Sequence, residues 1–84
     1  MFHYDFSFDS LTAAQSGRGV LTAQHVPVRL LRAPRAVAAR GCGYVLRVQG
    51  RDGARTAELL RRYQVAYSHI FRVLPDGGLE EAAL

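Results

Sequence analysis

His3-Tyr4-Asp5-Phe6-Ser7-Phe8-Asp9-Ser10 is the stretch that decides the fold. Tyr4, Phe6 and Phe8 fall on one side of a period-two alternation, with His3, Asp5 and Ser7 on the other, the pattern of a half-buried strand. Asp9-Ser10 then supplies helix N-cap chemistry: short side-chain oxygens that accept from the first free amides. Leu11, Ala14, Gly17 and Leu21 follow at helical spacing in a stretch that runs to Gln24. Gly17 and Gly19 each cost such a helix about 1 kcal/mol relative to alanine. Gly17 lies on the apolar stripe and reads as a point of close approach to a sheet; Gly19 has no such reading.

Pro27-Val28-Arg29-Leu30-Leu31-Arg32 reads as a second strand, with Pro27 at its first position, where a missing N–H is tolerated. Pro34 opens a short helical turn through Arg40, and Gly41 stops it. Tyr44 to Gln49 alternates as a third strand, and Gly50-Arg51-Asp52-Gly53 is a turn. Ala54 to Gln64 forms a second main helix on Ala57, Leu60 and Tyr63, and Tyr67 to Leu74 is the fourth strand. Pro75-Asp76-Gly77-Gly78 ends the domain, which spans residues 1–75 and leaves 76–84 as a short mobile tail. This order predicts an α+β fold, a ferredoxin-like βαββαβ sandwich with a four-stranded antiparallel sheet and two helices on one face. The expected core is Phe6, Leu11, Ala14, Gly17, Leu21, Val28, Leu30, Leu46, Val48, Ala57, Leu60 and Ile70. Tyr67, His69 and Phe71 fall opposite Ile70 in the fourth strand, which leaves apolar surface on the open sheet face and suggests a weak homodimer through that face or an edge strand.

Composition bounds the function. Eighty-four residues, 49% hydrophobic and 21% charged, make one small globular domain near the lower limit for a self-sufficient core. All eleven basic residues are arginine, and the formal charge of +4 suits an anionic partner without choosing one. No apolar run approaches the roughly 20 residues of a membrane-spanning helix, and Met1-Phe2-His3-Tyr4-Asp5 lacks the layout of a signal peptide. One unpaired cysteine then points to a reducing cytoplasm. His3, His25 and His69 are too scattered to make a metal site with it, and no cofactor is implied. Glu58, Glu80 and Glu81 read as solvated residues with no acid–base spacing, and neither His25 nor His69 is placed beside a nucleophile. A carrier or binding protein is expected ahead of an enzyme.

Cys42, the one cysteine, sits in Arg40-Gly41-Cys42-Gly43-Tyr44 between a helical and an extended stretch. It is either a small buried hydrophobe or a reactive thiol, and glycine on both sides marks a turn more than a core. Arg35, Arg40 and Arg47 are near in sequence and favour a thiolate. The topology brings the first helix's start to the same sheet end as this connection, so Asp9, Ser10, Pro34, Arg35, Arg40 and Cys42 should cluster there. The carboxyl end of the short helix opposes a thiolate while the first helix's amino end supports one. The balance is a thiol that ionises somewhat more readily than a free cysteine.

Pro27-Val28-Arg29-Leu30-Leu31, Ala33-Pro34-Arg35 and Cys42-Gly43-Tyr44-Val45-Leu46-Arg47 together resemble the small bacterial family of selenium/sulfur carrier-like proteins (a domain of unknown function, DUF3343). The resemblance covers about Phe6 to Leu74. It implies that Cys42 holds sulfur or selenium as a persulfide or selenosulfide, that Pro34 and Arg35 shape and charge the site, and that Arg47 stands behind it. A cysteine desulfurase or selenocysteine lyase would be the donor, with an unknown acceptor. Ala33 stands where the family has threonine, Gly41 where a small Ser or Ala is usual, and His25 where a glycine commonly ends the first helix.

Arg40-Gly41-Cys42-Gly43-Tyr44-Val45 also looks like the RNP1 motif of RNA-recognition domains. Cys42 and Arg47 occupy positions where that motif needs base-stacking aromatics, which leaves Tyr44 alone, and Asp5 makes the first strand a poor RNP2. A non-covalent module binding nucleic acid or protein is therefore the weaker alternative.

Overall fold

The computed structural model describes residues 2–39 and 43–84. The elements are β1 (His3–Phe8), α1 (Leu11–Ala23), β2 (Arg29–Arg32), α2 (Arg35–Ala38), β3 (Tyr44–Gln49), a 3₁₀ turn (Gly50–Asp52), α3 (Gly53–Arg62), β4 (His69–Val73) and β5 (Leu79–Ala82). The strands form one sheet in the order β2-β3-β1-β4-β5, antiparallel at every step. The fold is α+β with five strands where four were expected. The fifth lies in the segment 76–84, expected as a tail. Asp76-Gly77 is a hairpin turn: Gly77 takes φ +89°, and Asp76 Oδ1 accepts from the Gly78 amide at 2.8 Å.

The helix-side core follows the sequence pattern. Phe6 pairs with Leu46 on one side and Ile70 on the other, and Tyr4 pairs with Val48. These side chains pack with Ala14 and Leu21 of α1 and with Ala57 and Leu60 of α3. Phe6 and Phe8 are fully buried, and a side chain of that size contributes about 2 kcal/mol on leaving water. A Cβ added at Gly17 would lie 2.9 Å from Leu46 and 3.3 Å from both Leu60 and Phe8, so the missing side chain lets α1 approach the sheet. Gly53 is tighter still, because a Cβ there would enter the Tyr4 ring. Leu11, expected in the core, is 40% exposed: it occupies the first turn, before α1 reaches the sheet. Tyr67, expected on the open face, precedes β4 and meets Phe6 edge-on at 5.3 Å, on the helix side.

Ser10 caps α1, its Oγ accepting from the Ala13 amide at 3.1 Å. Both long helices end alike. The Val26 amide donates to the Leu21 carbonyl at 2.9 Å and the His25 amide to that of Thr22 at 3.1 Å, with His25 at φ +62°. The Val65 amide donates to Leu60 at 2.8 Å and the Gln64 amide to Arg61 at 3.1 Å, with Gln64 at φ +59°. These are Schellman closures, in which the left-handed position is most often glycine.

The second face of the sheet departs from expectation. Asp5 and Ser7 were placed toward solvent, yet both are fully buried. Asp5 is neutralised by Arg47, the residue opposite it in β3, whose Nε and Nη2 donate to the two carboxylate oxygens at 2.8 and 3.0 Å. Ser7 Oγ accepts from the His69 amide at 3.0 Å and donates to the His69 carbonyl at 3.3 Å. With these groups satisfied, α2 lies across this face, where Val37, Val45 and Phe71 make a second buried cluster flanked by Leu31, Ala33 and Leu79. The two expected helices do share one face, and α2 occupies the other.

Replacing His25 or Gln64 by glycine should raise stability in urea unfolding by about 0.5–1 kcal/mol each, because L-residues are strained in the left-handed region. A loss in either variant contradicts this capping geometry. Asp5→Asn should cost about 3 kcal/mol by leaving Arg47 without its counter-charge, and the apolar pair Asp5→Leu/Arg47→Met should cost less than Asp5→Asn alone. Equal or greater loss in the double variant would show that the pair acts through shape and not charge.

Candidate functional site

The β2–β3 connection is pinned at both ends. The Ala33 amide donates to the Gly43 carbonyl at 3.0 Å, extending the β2–β3 ladder by one step, so the chain leaves and returns at one point. Pro34 has φ −56° and starts α2, its carbonyl accepting from Val37 at 2.9 Å and Ala38 at 2.8 Å. Val37, fully buried against the sheet, anchors the middle. Arg35 is exposed on α2 and Gly43 is half-buried. Arg40, Gly41 and Cys42, the centre of the sequence-predicted site, lie outside the described residues.

The other expected residues are distributed around this frame. Asp9 and Ser10 follow the end of β1 that pairs with Tyr44, so they share the sheet end from which the connection springs. Each already has a local partner: Asp9 Oδ1 accepts from Ser68 Oγ at 2.7 Å, and Ser10 caps α1. α1 packs on one face of the sheet and α2 on the other, so the sheet stands between them. Arg47 lies on α2's face, and its charge is engaged by Asp5, which raises the guanidinium's pKa further above its ordinary value through the hydrogen bonds it accepts. The cation that the sequence reading set behind the thiol is a counter-ion to Asp5 in the structure.

The sequence reading missed how the polar groups of this face pair with one another. His69, directly across from Ser7, has its Nδ1 3.1 Å from Glu81 Oε2, and its ring lies 5.9 Å from that of Phe71. Period-two spacing puts His69, Phe71 and Ser7 on one face. The pairing with Glu81 could have been found only by reading Asp76-Gly77 as a hairpin. Tyr44 packs with the helix-side cluster, and the Arg32 guanidinium lies 5.8 Å from its ring centre. Its ring packs on the α1–α3 side of the sheet and is not an open stacking platform, so the RNA-recognition alternative finds no support. Among the described residues, no group of three or more His, Cys, Asp or Glu could hold a metal ion. No helix of the described chain is long and apolar enough to cross a membrane.

No curated protein and no solved structure matches this chain. A protein-family comparison does. The matching model runs over residues 3–72, from the first residue of β1 into β4, and it takes in both strands that flank the β2–β3 connection. By that match, the chain belongs to the family described as "Putative Se/S carrier protein-like".

Proposed function

We propose that the protein carries a sulfur or selenium atom on Cys42. The observation that carries this reading is family membership across β1 to β4, joined to a single cysteine in the sequence between β2 and β3. We further read the order β2-β3-β1-β4, with α1 and α3 on one face, as the ferredoxin-like arrangement extended by β5.

The chemistry is an exchange that needs no external oxidant. The Cys42 thiolate attacks the outer sulfur of a donor persulfide, a new S–S bond forms at Cys42, the donor's S–S bond breaks, and the donor leaves as a thiolate. The sulfane atom moves with no net change in oxidation, and the reverse exchange delivers it to an acceptor thiolate. A selenium atom held as a selenosulfide follows the same balance. The donor in this reading is a cysteine desulfurase or a selenocysteine lyase. The protein's own contribution is the thiol of Cys42 in a connection whose described ends, Ala33 and Gly43, are joined by a backbone hydrogen bond.

Incubation with a cysteine desulfurase and cysteine, or with a selenocysteine lyase and selenocysteine, followed by intact-mass measurement, tests the proposal. Wild-type protein should gain the mass of one sulfur or selenium atom, reversibly on reduction, and Cys42→Ser should gain nothing. An unmodified wild type with both donors, or equal loading of Cys42→Ser, overturns it.

A further inference from the structure

The second face has another end, away from the β2–β3 connection, and the charges there do not balance. Arg29 of β2 stands directly opposite Arg47 of β3, and like charges in that position destabilise a sheet. Asp5 answers only Arg47. Arg29 is exposed and makes no hydrogen bond or ion pair among the described residues. The bidentate contact from Asp5 fixes the plane of the Arg47 guanidinium while leaving Nη1 without a protein partner among those residues.

Both arginines line a cavity of about 410 Å³ whose other walls include His3, Pro27, Val28 and Gln49. A neighbouring cavity of about 540 Å³ shares His3 and Gln49 and adds Phe2, Gly50 and Arg51. No carboxylate is among the lining residues of either. The two spaces therefore make one groove around the start of β1 and the end of β3, with three guanidiniums on its walls and an aromatic ring at one side. His3 contributes a second unmet demand, because its Nε2 is buried with no hydrogen-bond partner. Burial first, and then the nearby charge of Arg47, hold this imidazole below its ordinary pKa of 6.5. A neutral imidazole still carries an N–H to donate, as does the Gln49 side-chain amide.

We propose that this groove binds a small phosphomonoester, with Arg29 and Arg47 gripping the phosphate and the organic part lying against Phe2. Two guanidinium forks, one of them already oriented, suit the planar, bidentate recognition of phosphate oxygens. The volume is that of a small-ligand site and too small for a folded partner. An anion between Arg29 and Arg47 also removes the repulsion across the β2–β3 register. This site is independent of whether Cys42 carries a chalcogen.

Titration of the isotopically labelled protein with inorganic phosphate and with phenyl phosphate, at constant ionic strength, tests the proposal by NMR. Saturable shifts should centre on His3, Arg29, Arg47 and Gln49, with phenyl phosphate also moving Phe2 and binding more tightly than phosphate. Arg29→Ala, an exposed edge-strand change that spares the fold, should weaken binding about tenfold, as expected for losing one hydrogen-bonded charge. Arg18→Ala on the exposed side of α1 and Cys42→Ser should bind as wild type. Non-saturating shifts, shifts spread over the surface arginines, or unchanged affinity in Arg29→Ala would overturn it.

Discussion

The bidentate contact between Arg47 and Asp5 is the constraint on which the rest of this structure depends. Asp5 sits on β1, which has a partner strand on each side, and its side chain has no access to water. A bare carboxylate there would forbid anything apolar from covering the second face, since an unpaired buried charge costs several kcal/mol. Held by two charge-assisted hydrogen bonds, it becomes part of a floor on which Val37, Val45 and Phe71 can pack. That second cluster is what lets α2 lie across the sheet.

Much of this architecture is legible in the chain because it depends on short-range periodicity. The alternation in β1 and β3, the Ser10 cap and the stripe of Ala14, Gly17 and Leu21 all behave as their spacing implies. What escapes the sequence has a common physical cause. Periodicity says which residues share a face, but not whether something covers that face. His3, Asp5 and Ser7 look like a solvent side because they are polar, yet Asp5 and Ser7 are buried because each finds a partner on a neighbouring strand. Glu80 and Glu81 look like a solvated tail because Arg72 and His69, the partners they approach at 3.8 and 3.1 Å, lie beyond a turn. His25 shows the opposite case: a helix end that normally calls for glycine is built with a strained residue, because the Leu21–Val26 closure outweighs the local cost.

The sheet thus divides the molecule's tasks. The helix side is a tightly filled apolar layer in which glycines permit close approach, and it supplies stability. The other side mixes polar pairs with a small apolar cluster, and α2 packs on it through Val37. Sequence reasoning singled out the stretch between β2 and β3 by its residue types, because Pro34 and the Gly41-Cys42-Gly43 triplet are local signals, and the centre of that stretch lies outside the described residues. It could not anticipate that Arg47 would be shared with Asp5, or that the His69–Glu81 pair would stand on the same face, because both depend on strand register.

A direct comparison of amide NMR spectra of the reduced protein and the protein persulfidated at Cys42 tests this division most sharply. The account predicts shifts centred on Val37, on Gly43 to Val45 and on His69 to Phe71, with the amides of Phe6, Ala14 and Leu60 unmoved. Shifts concentrated on the α1–α3 side, or a spectrum unchanged on loading, would contradict it.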